Sequence, residues 1–453
     1  MLRLLTVLFL TLFASEALAA RTIDKSETWS GEVVLKESVR VSEKALLTIT
    51  PGTEVRFSGS ATLTVQGRVL AKGTEKQPIA FLSSSGTEPG SWPGISFLGA
   101  REGSELAHVR FEGAVQAMTI NGSKVSIVSS TVLSGVKGLY LGAEALVKID
   151  NVTVRNMSEA GIEASTHSRG IISNCQIESV KGPGILAGKQ TGFKISSNRI
   201  TKAKIGILTS GDSSSIEKNI IEDCEIGIAI SQSSPKAVIS ENKISRAKTG
   251  ISCQQFSSPT ISKNLIEDCD EGIYCFQGSS PIITQNRLTG NRRALSGIQM
   301  CNPEATYNDF MDNDIAAYLH LSSYAIFHKN NFERNRSHIS LDNMSYDWEL
   351  RANKKPSRNR QRQNDSLVQQ GRAMPQSLPV EVKSKGYVNA QGNYWGEETT
   401  EEMKKKGDNA NISTIMDGYD QQILTYDGWP GEYKKDRVSY ADWQTERIVG
   451  AGL

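Results

Sequence analysis

Histidine, methionine, proline and the aromatics are all sparse in this chain, with five His, nine Met, thirteen Pro and 7% Phe, Trp and Tyr together. The histidines stand singly at 108, 167, 320, 328 and 338, which leaves no HxxxH-type spacing for a metal. No His-rich or Met-rich run offers a copper site either, so no metal or other cofactor is expected. Six cysteines in 453 residues are too few for a fold held together by disulfides. An excess of one charge is missing as well: 51 Lys and Arg against 49 Asp and Glu give a net +2, which argues against nucleic acid as the partner. Beyond the first twenty residues no apolar run is long enough to span a bilayer.

The first twenty residues, MLRLLTVLFLTLFASEALAA, have the layout of a secretory signal peptide. Arg3 supplies the positive start, Leu4 to Phe13 the apolar stretch, and Ala17-Leu18-Ala19 a small-residue cleavage site. Residues 1–19 are therefore read as a removed leader. The mature chain is expected to be soluble and exported, periplasmic or extracellular.

What the chain has in plenty is Ser, Thr, Asn and Gly, and a repeat. Gly-Ile recurs at Gly161, Gly184, Gly206, Gly227, Gly250, Gly272 and Gly297, at intervals of 23, 22, 21, 23, 22 and 25. An Asn runs in step at 151, 174, 198, 219, 242, 264, 286, 308 and 331, and Ser-Ser-Pro returns at 233–235, 257–259 and 279–281. Short alternating apolar strands separated by turn residues fill each period. Three short strands and three turns per 22 or so residues describe one coil of a right-handed parallel β-helix. Each strand then pairs with its counterpart one coil away, about 4.8 Å distant. About a dozen coils would make an all-β solenoid roughly 55–60 Å long with a cap at each end. The expected boundaries are an N-terminal cap and first coils over 20–100, regular coils over 101–341, a basic disordered insertion over 342–386, a last coil over 387–396 and a C-terminal cap over 397–453.

Alternation from the Gly-Ile marker assigns the inward columns. One reads Ala164, Ala187, Thr209, Ile230, Cys253, Cys275 and Met300; another, two residues after the Asn, reads Ile200, Ile221, Ile244, Ile266, Leu288 and Phe310. The Asn themselves fit a bend, either as a ladder of side-chain amides bonded from coil to coil or as plain turn-formers. The acidic cluster NLIEDCDEGIYC at 264–275 thus becomes one coil rather than a metal site, with NIIEDCEIGIAI at 219–230 as its twin. The columns Lys202, Asp223, Arg246, Asp268 and Lys204, Glu225, Lys248, Asp270, Arg292 alternate in sign, as an electrostatic ladder would. Glu222 and Glu267 share a column two coils apart, about 9.6 Å, within the loose range of an inverting glycosidase pair but without a cleft. Cys253 and Cys275, stacked on adjacent coils, are either free core thiols or a disulfide.

The stretch ALLTITPGTEVRFSGSATLTVQGRVLAKGTEKQPIAF with SWPGISF resembles the opening coils of exported right-handed β-helix repeat proteins of the pectate-lyase-like superfamily, and GNYWG at 392–396 resembles their closing segment. The superfamily includes lyases, hydrolases, epimerases, adhesins and accessory proteins. A branch with the NYWG-type ending is similar to periplasmic accessory proteins of nitrous oxide reductase. The paired Asp, Gly-His-Gly and Arg-Ile-Lys of polygalacturonase-like enzymes and the Trp-Ile-Asp-His of pectate-lyase-like ones are absent, so no catalytic residue is assigned.

Arg351, Lys354, Lys355, Arg358, Arg360 and Arg362 crowd into twelve residues of low hydrophobicity, either a solvated excursion or a contact for an anionic partner. The expected function is a non-enzymatic exported scaffold or binding protein contacting an anionic envelope polysaccharide or a partner protein. The alternatives are a polysaccharide lyase, hydrolase or epimerase, or a periplasmic metalloenzyme maturation factor. The enzyme alternative requires a groove beside 342–386 lined by two or more carboxylates or an Arg, Lys or Tyr base. Oligomeric state is not encoded in any of these features.

Overall fold

The computed structural model describes residues 21–210, 214–232, 237–354 and 386–453. The leader, the Ser-Ser-Pro turn at 233–235, and Lys355, Arg358, Arg360 and Arg362 lie outside them. The described strands, from Arg21–Ile23 to Arg437–Ser439, wind as a parallel β-solenoid of about 14 turns. That is slightly more than the repeat suggests, because the first coils carry neither Gly-Ile nor the periodic Asn. Each turn gives one short strand to each of three parallel faces that enclose the core.

The inward columns run as alternation requires. Ile200, Ile221, Ile244, Ile266, Leu288 and Phe310 are successive register partners, each with no exposed surface. Phe332 continues that column and stacks on Trp395, so aromatics close the C-terminal end. The other column runs Ala164, Ala187, Thr209, Ile230, Cys253, Cys275 and then Gly297, not Met300, which is 45% exposed. The Gly-Ile at 297 is a chance copy of the marker: Gly272 stacks under Ala294, one full period of 22 on. Gly is needed in this row because successive backbones approach closely. A Cβ on Gly227 would lie 2.6 Å from the Gly250 carbonyl oxygen.

The periodic Asn forms a true ladder. Asn198, Asn219, Asn242, Asn264, Asn286, Asn308, Asn330 and Asn393 are buried and linked side chain to side chain at 2.9–3.0 Å. From Asn219 on, each Oδ1 also accepts the backbone N–H of the preceding Asn, Asn198 Oδ1 accepts that of Cys175, and each Nδ2 reaches a carbonyl inside the turn. Asn330 rather than Asn331 occupies the rung, while Asn151 and Asn174 sit one residue earlier, at left-handed turn positions outside the ladder. A second ladder, Asn291, Asn313 and Asn335, stands in the column that Cys224, Ala247 and Cys269 occupy lower down.

The segment from 342 begins in order rather than disorder. Asp342 ends a strand and residues Tyr346–Lys354 form a helix; 355–385 lie outside the described residues. The coil at 387–396 is not the last, because strand Arg437–Ser439 pairs above Tyr387–Asn389 and Ile415–Met416 pairs with Ile339–Ser340. A helix at Gly396–Lys406 covers the open end with Thr399, Thr400 and Met403. Its acidic first turn and basic last turn complement its dipole. An antiparallel hairpin, Ile423–Tyr426 with Trp429–Lys434, packs beside the helix Tyr346–Lys354. No helix among the described residues is long and apolar enough to cross a membrane.

Candidate functional site

Over four middle coils of one sheet the outward column is bland: Leu186, Leu208, Ala229 and Ser252 follow one another. Near the C-terminal end it changes character. Strands Glu271–Phe276, Arg293–Ile298, Ile315–His320 and Ser337–Asp342 stack in register, with Ile273, Leu295, Ala317 and Ile339 inward. Alternation therefore turns Tyr274, Ser296 and Tyr318 outward in one column and Phe276, Ile298, His320 and Asp342 in the next. Four coils gather Glu271, Arg293, Tyr318, His320 and Asp342 on one open face.

Asp342 organises this cluster. One of its oxygens, Oδ2, accepts the Tyr318 hydroxyl at 2.6 Å and faces His320 Nδ1 at 3.1 Å. That contact favours the Nδ1–H tautomer, which turns Nε2 into the ring's free acceptor. The Arg293 guanidinium lies 3.8 Å over the Tyr318 ring and pairs with Glu271 at 3.2 Å. Glu271 also holds Arg292 at 3.0 Å and the Ser296 hydroxyl. Arg293 Nε is buried without a hydrogen-bond partner. Burial, with the Asp342 carboxylate second, pushes the Tyr318 phenol up to about 12, so it is a proton donor at neutral pH. Tyr274 and Phe276 stack 6.0 Å apart two coils below, a flat aromatic pair on the same face. The arrangement supplies a carboxylate-oriented imidazole and a guanidinium, each beside the Tyr318 phenol at 6.2 and 3.8 Å, the parts of a general acid–base site.

The residues singled out from sequence fall elsewhere. Arg351 pairs with Asp347 at 2.8 Å and lies 4.9 Å over Tyr433, with its side chain still exposed. Lys354 ends the helix, and its side chain is outside the described residues. Cys253 and Cys275 are register partners, fully buried, and all six cysteines are free thiols in this structure. The neighbouring Cys253 and burial push the Cys275 thiol well up, which makes it a poor nucleophile. Glu222 is held by Arg199 at 2.5 Å and Glu267 by Lys243 at 2.8 Å, so neither serves as an acid pair. Of the sign-alternating columns, Asp223–Arg246 forms an ion pair at 2.8 Å, and the same column continues upward as Asp312–Arg334 at 2.7 Å. Among the described residues no three His, Cys, Asp or Glu side chains converge as metal ligands. GNYWG has structural roles: Asn393 tops the ladder and Trp395 plugs the core.

Two clefts lie away from the cluster. One of about 620 Å³ separates the turns at Glu241, Lys263 and Gln285 from Gly450–Leu453. The other, of about 370 Å³, lies between the helix Gly396–Lys406 and Thr445–Arg447.

The continuous parallel solenoid, with its three faces and internal asparagine ladder, defines a β-helix protein. A family model described as right handed beta helix region matches residues 113–253, 167–301 and 249–359, together more than half of the chain, and the chain belongs to that family. Among solved structures it is similar to the periplasmic alginate epimerase AlgG (13% identity, 71% of this chain and 81% of that one, TM-score 0.38). It is similar also to an alginate lyase from Paenibacillus sp. str. FPU-7 (13% identity, 50% and 92%, TM-score 0.27) and to pectate lyase Pel9A (13%, 64% and 72%, TM-score 0.24). Likeness at this level concerns the fold alone. No curated protein sequence matches the chain.

Proposed function

We propose that this is an exported β-helix protein that acts on an acidic polysaccharide at the face formed by Arg293, Tyr318, His320 and Asp342. The observation that carries the reading is His320 held at 3.1 Å by Asp342, with Tyr318 and Arg293 packed alongside. Removing a proton from the carbon next to a sugar carboxylate needs three things: a base, a donor and a positive group that offsets the growing charge. His320 Nε2 is the base, Tyr318 the donor and Arg293 the counter-charge. The Tyr274–Phe276 pair gives an adjoining sugar ring a surface to stack on.

A second reading, binding without turnover, is favoured by one feature. The face is open sheet rather than a closed pocket, and Glu271 already neutralises Arg293. Incubation with mannuronate, guluronate and galacturonate polymers in deuterated water separates the two, because solvent deuterium at the carbon next to the carboxylate reports epimerisation and ultraviolet absorbance of newly unsaturated chain ends reports elimination. His320→Ala and Tyr318→Phe should abolish either signal while retention on immobilised polymer persists. Retention with neither signal leaves binding alone, and loss of retention together with both signals in the wild-type chain removes the glycan reading. Export is supported by the leader-like first nineteen residues; a mature N-terminus at Ala20, sequenced from the exported fraction, tests it.

A further inference from the structure

The turn after the strand Ile315–His320 carries Tyr324, whose buried hydroxyl lies 2.7 Å from Glu349 Oε1 and 2.9 Å from Asp436 Oδ2. Tyr324 belongs to the solenoid, Glu349 to the helix Tyr346–Lys354, and Asp436 to the stretch entering the strand Arg437–Ser439. A phenol has one proton to donate. It can satisfy one carboxylate, so the second short O···O contact requires a proton on a carboxyl group. Asp436 is the better anion, because the backbone N–H of Tyr346 donates to both its oxygens, at 2.9 and 3.1 Å. Glu349 then holds the extra proton and donates it to the Tyr324 oxygen, while Tyr324 donates to Asp436.

We infer that Glu349, Tyr324 and Asp436 form a single-proton latch that docks the helix Tyr346–Lys354 on the solenoid beside Asp342 and releases it as pH rises. Burial holds both carboxyls above the usual carboxylate range. The charges around the latch do not replace the proton. On the helix, Asp347 adds to the repulsion on Asp436, and Arg351 is turned toward Asp347 and Tyr433. From the hairpin side Lys434 partly offsets Asp436, while Lys435 is itself pushed down by burial. Tyr426, stacked on Trp348, is pushed up by burial first and then by Asp436, Glu349 and Asp342. Among the described residues no Lys or Arg nitrogen lies within 4.0 Å of either latch carboxyl.

A carboxyl that binds its proton more tightly in the folded chain stabilises that state at low pH, and this contribution is lost as pH rises through the folded value. Only three residues separate Asp342 from Tyr346, so release of the helix frees the end of the strand that orients His320. That consequence for the site rests on the glycan reading above; the latch itself does not. Native-state hydrogen exchange of the full chain, without glycan, tests it between about pH 5 and 9. The protection factors of helix amides should fall up to tenfold per pH unit once the latch proton is lost. Glu349→Gln, whose amide can donate to Tyr324 permanently, should stay protected with no such slope, and Asp436→Asn should flatten it as well. A flat wild-type profile, a wild-type slope retained in Glu349→Gln, or an undocked helix in both variants at every pH overturns the latch.

Discussion

His338 closes the C-terminal end of the solenoid as a neutral ring. It is 2% exposed; Asn335 Nδ2 donates to its Nδ1 at 3.2 Å, and its Nε2–H donates to the Trp395 carbonyl at 3.0 Å. Burial depresses its pKa to about 4 from an ordinary 6.5. The folded chain therefore binds this proton more weakly than the unfolded chain, so the stabilisation is complete above about pH 6.5 and is lost as pH falls toward about 4. A shift of some 2.5 units is worth about 3 kcal/mol in full, and about 2 kcal/mol of it is gone by about pH 5. Urea unfolding followed by tryptophan fluorescence at about pH 7.5 and about pH 5 reads the loss, with Trp395 as a reporter 5.9 Å from the ring. Buried carboxyls such as Glu349, Asp436 and Asp417 titrate in the opposite sense, so the comparison must be with His338→Gln, which shares them. The wild-type stability should drop by about 2 kcal/mol relative to the variant across that interval. Parallel pH profiles for the two proteins would refute the neutral buried imidazole.

Asn264→Ala should destabilise the chain by about 2–4 kcal/mol in chemical denaturation, because the buried Asn242 backbone N–H loses its acceptor and the Ile239 carbonyl loses a donor, while the Asn242 amide keeps the Ile216 and Ser240 carbonyls. Gly227→Ala forces a methyl against the Gly250 carbonyl and Ile244, so a loss of about 1–3 kcal/mol is expected, whereas Ala294→Gly, in the same row, should cost about 1 kcal/mol or less. Thiol titration of the native protein should find none of the six buried cysteines reactive, and six after denaturation; a count of four would instead place a bridge between Cys253 and Cys275.

The solenoid was legible because its signals are local. Alternation fixes which side chains turn inward, and stacking repeats them every coil, so the Ile200-to-Phe310 column could be read without coordinates. The acid–base face was missed for a definable reason. The Gly-Ile at 297 imitated the marker three residues late and threw the columns out of step where Arg293, Tyr318 and His320 line up. Extending the period of 22 from Gly272 to 294 and 316 would have shown the outward column turning from Leu, Ala and Ser to Tyr. The second ladder was hidden because Cys269 holds its column just before Asn291 takes over. The latch left no trace in sequence, since Tyr324 and Asp436 are 112 positions apart and meet only through the cap.

The two asparagine ladders start at different heights. Among the described residues none passes through the coils before Asn198, one runs from there upward, and two run side by side from Asn291 to Asn335. Resistance to tearing is therefore graded along the axis. A chain pulled from its ends should peel coil by coil from the N-terminal side, and the doubly laced coils that carry Tyr318 and His320 should be among the last to yield.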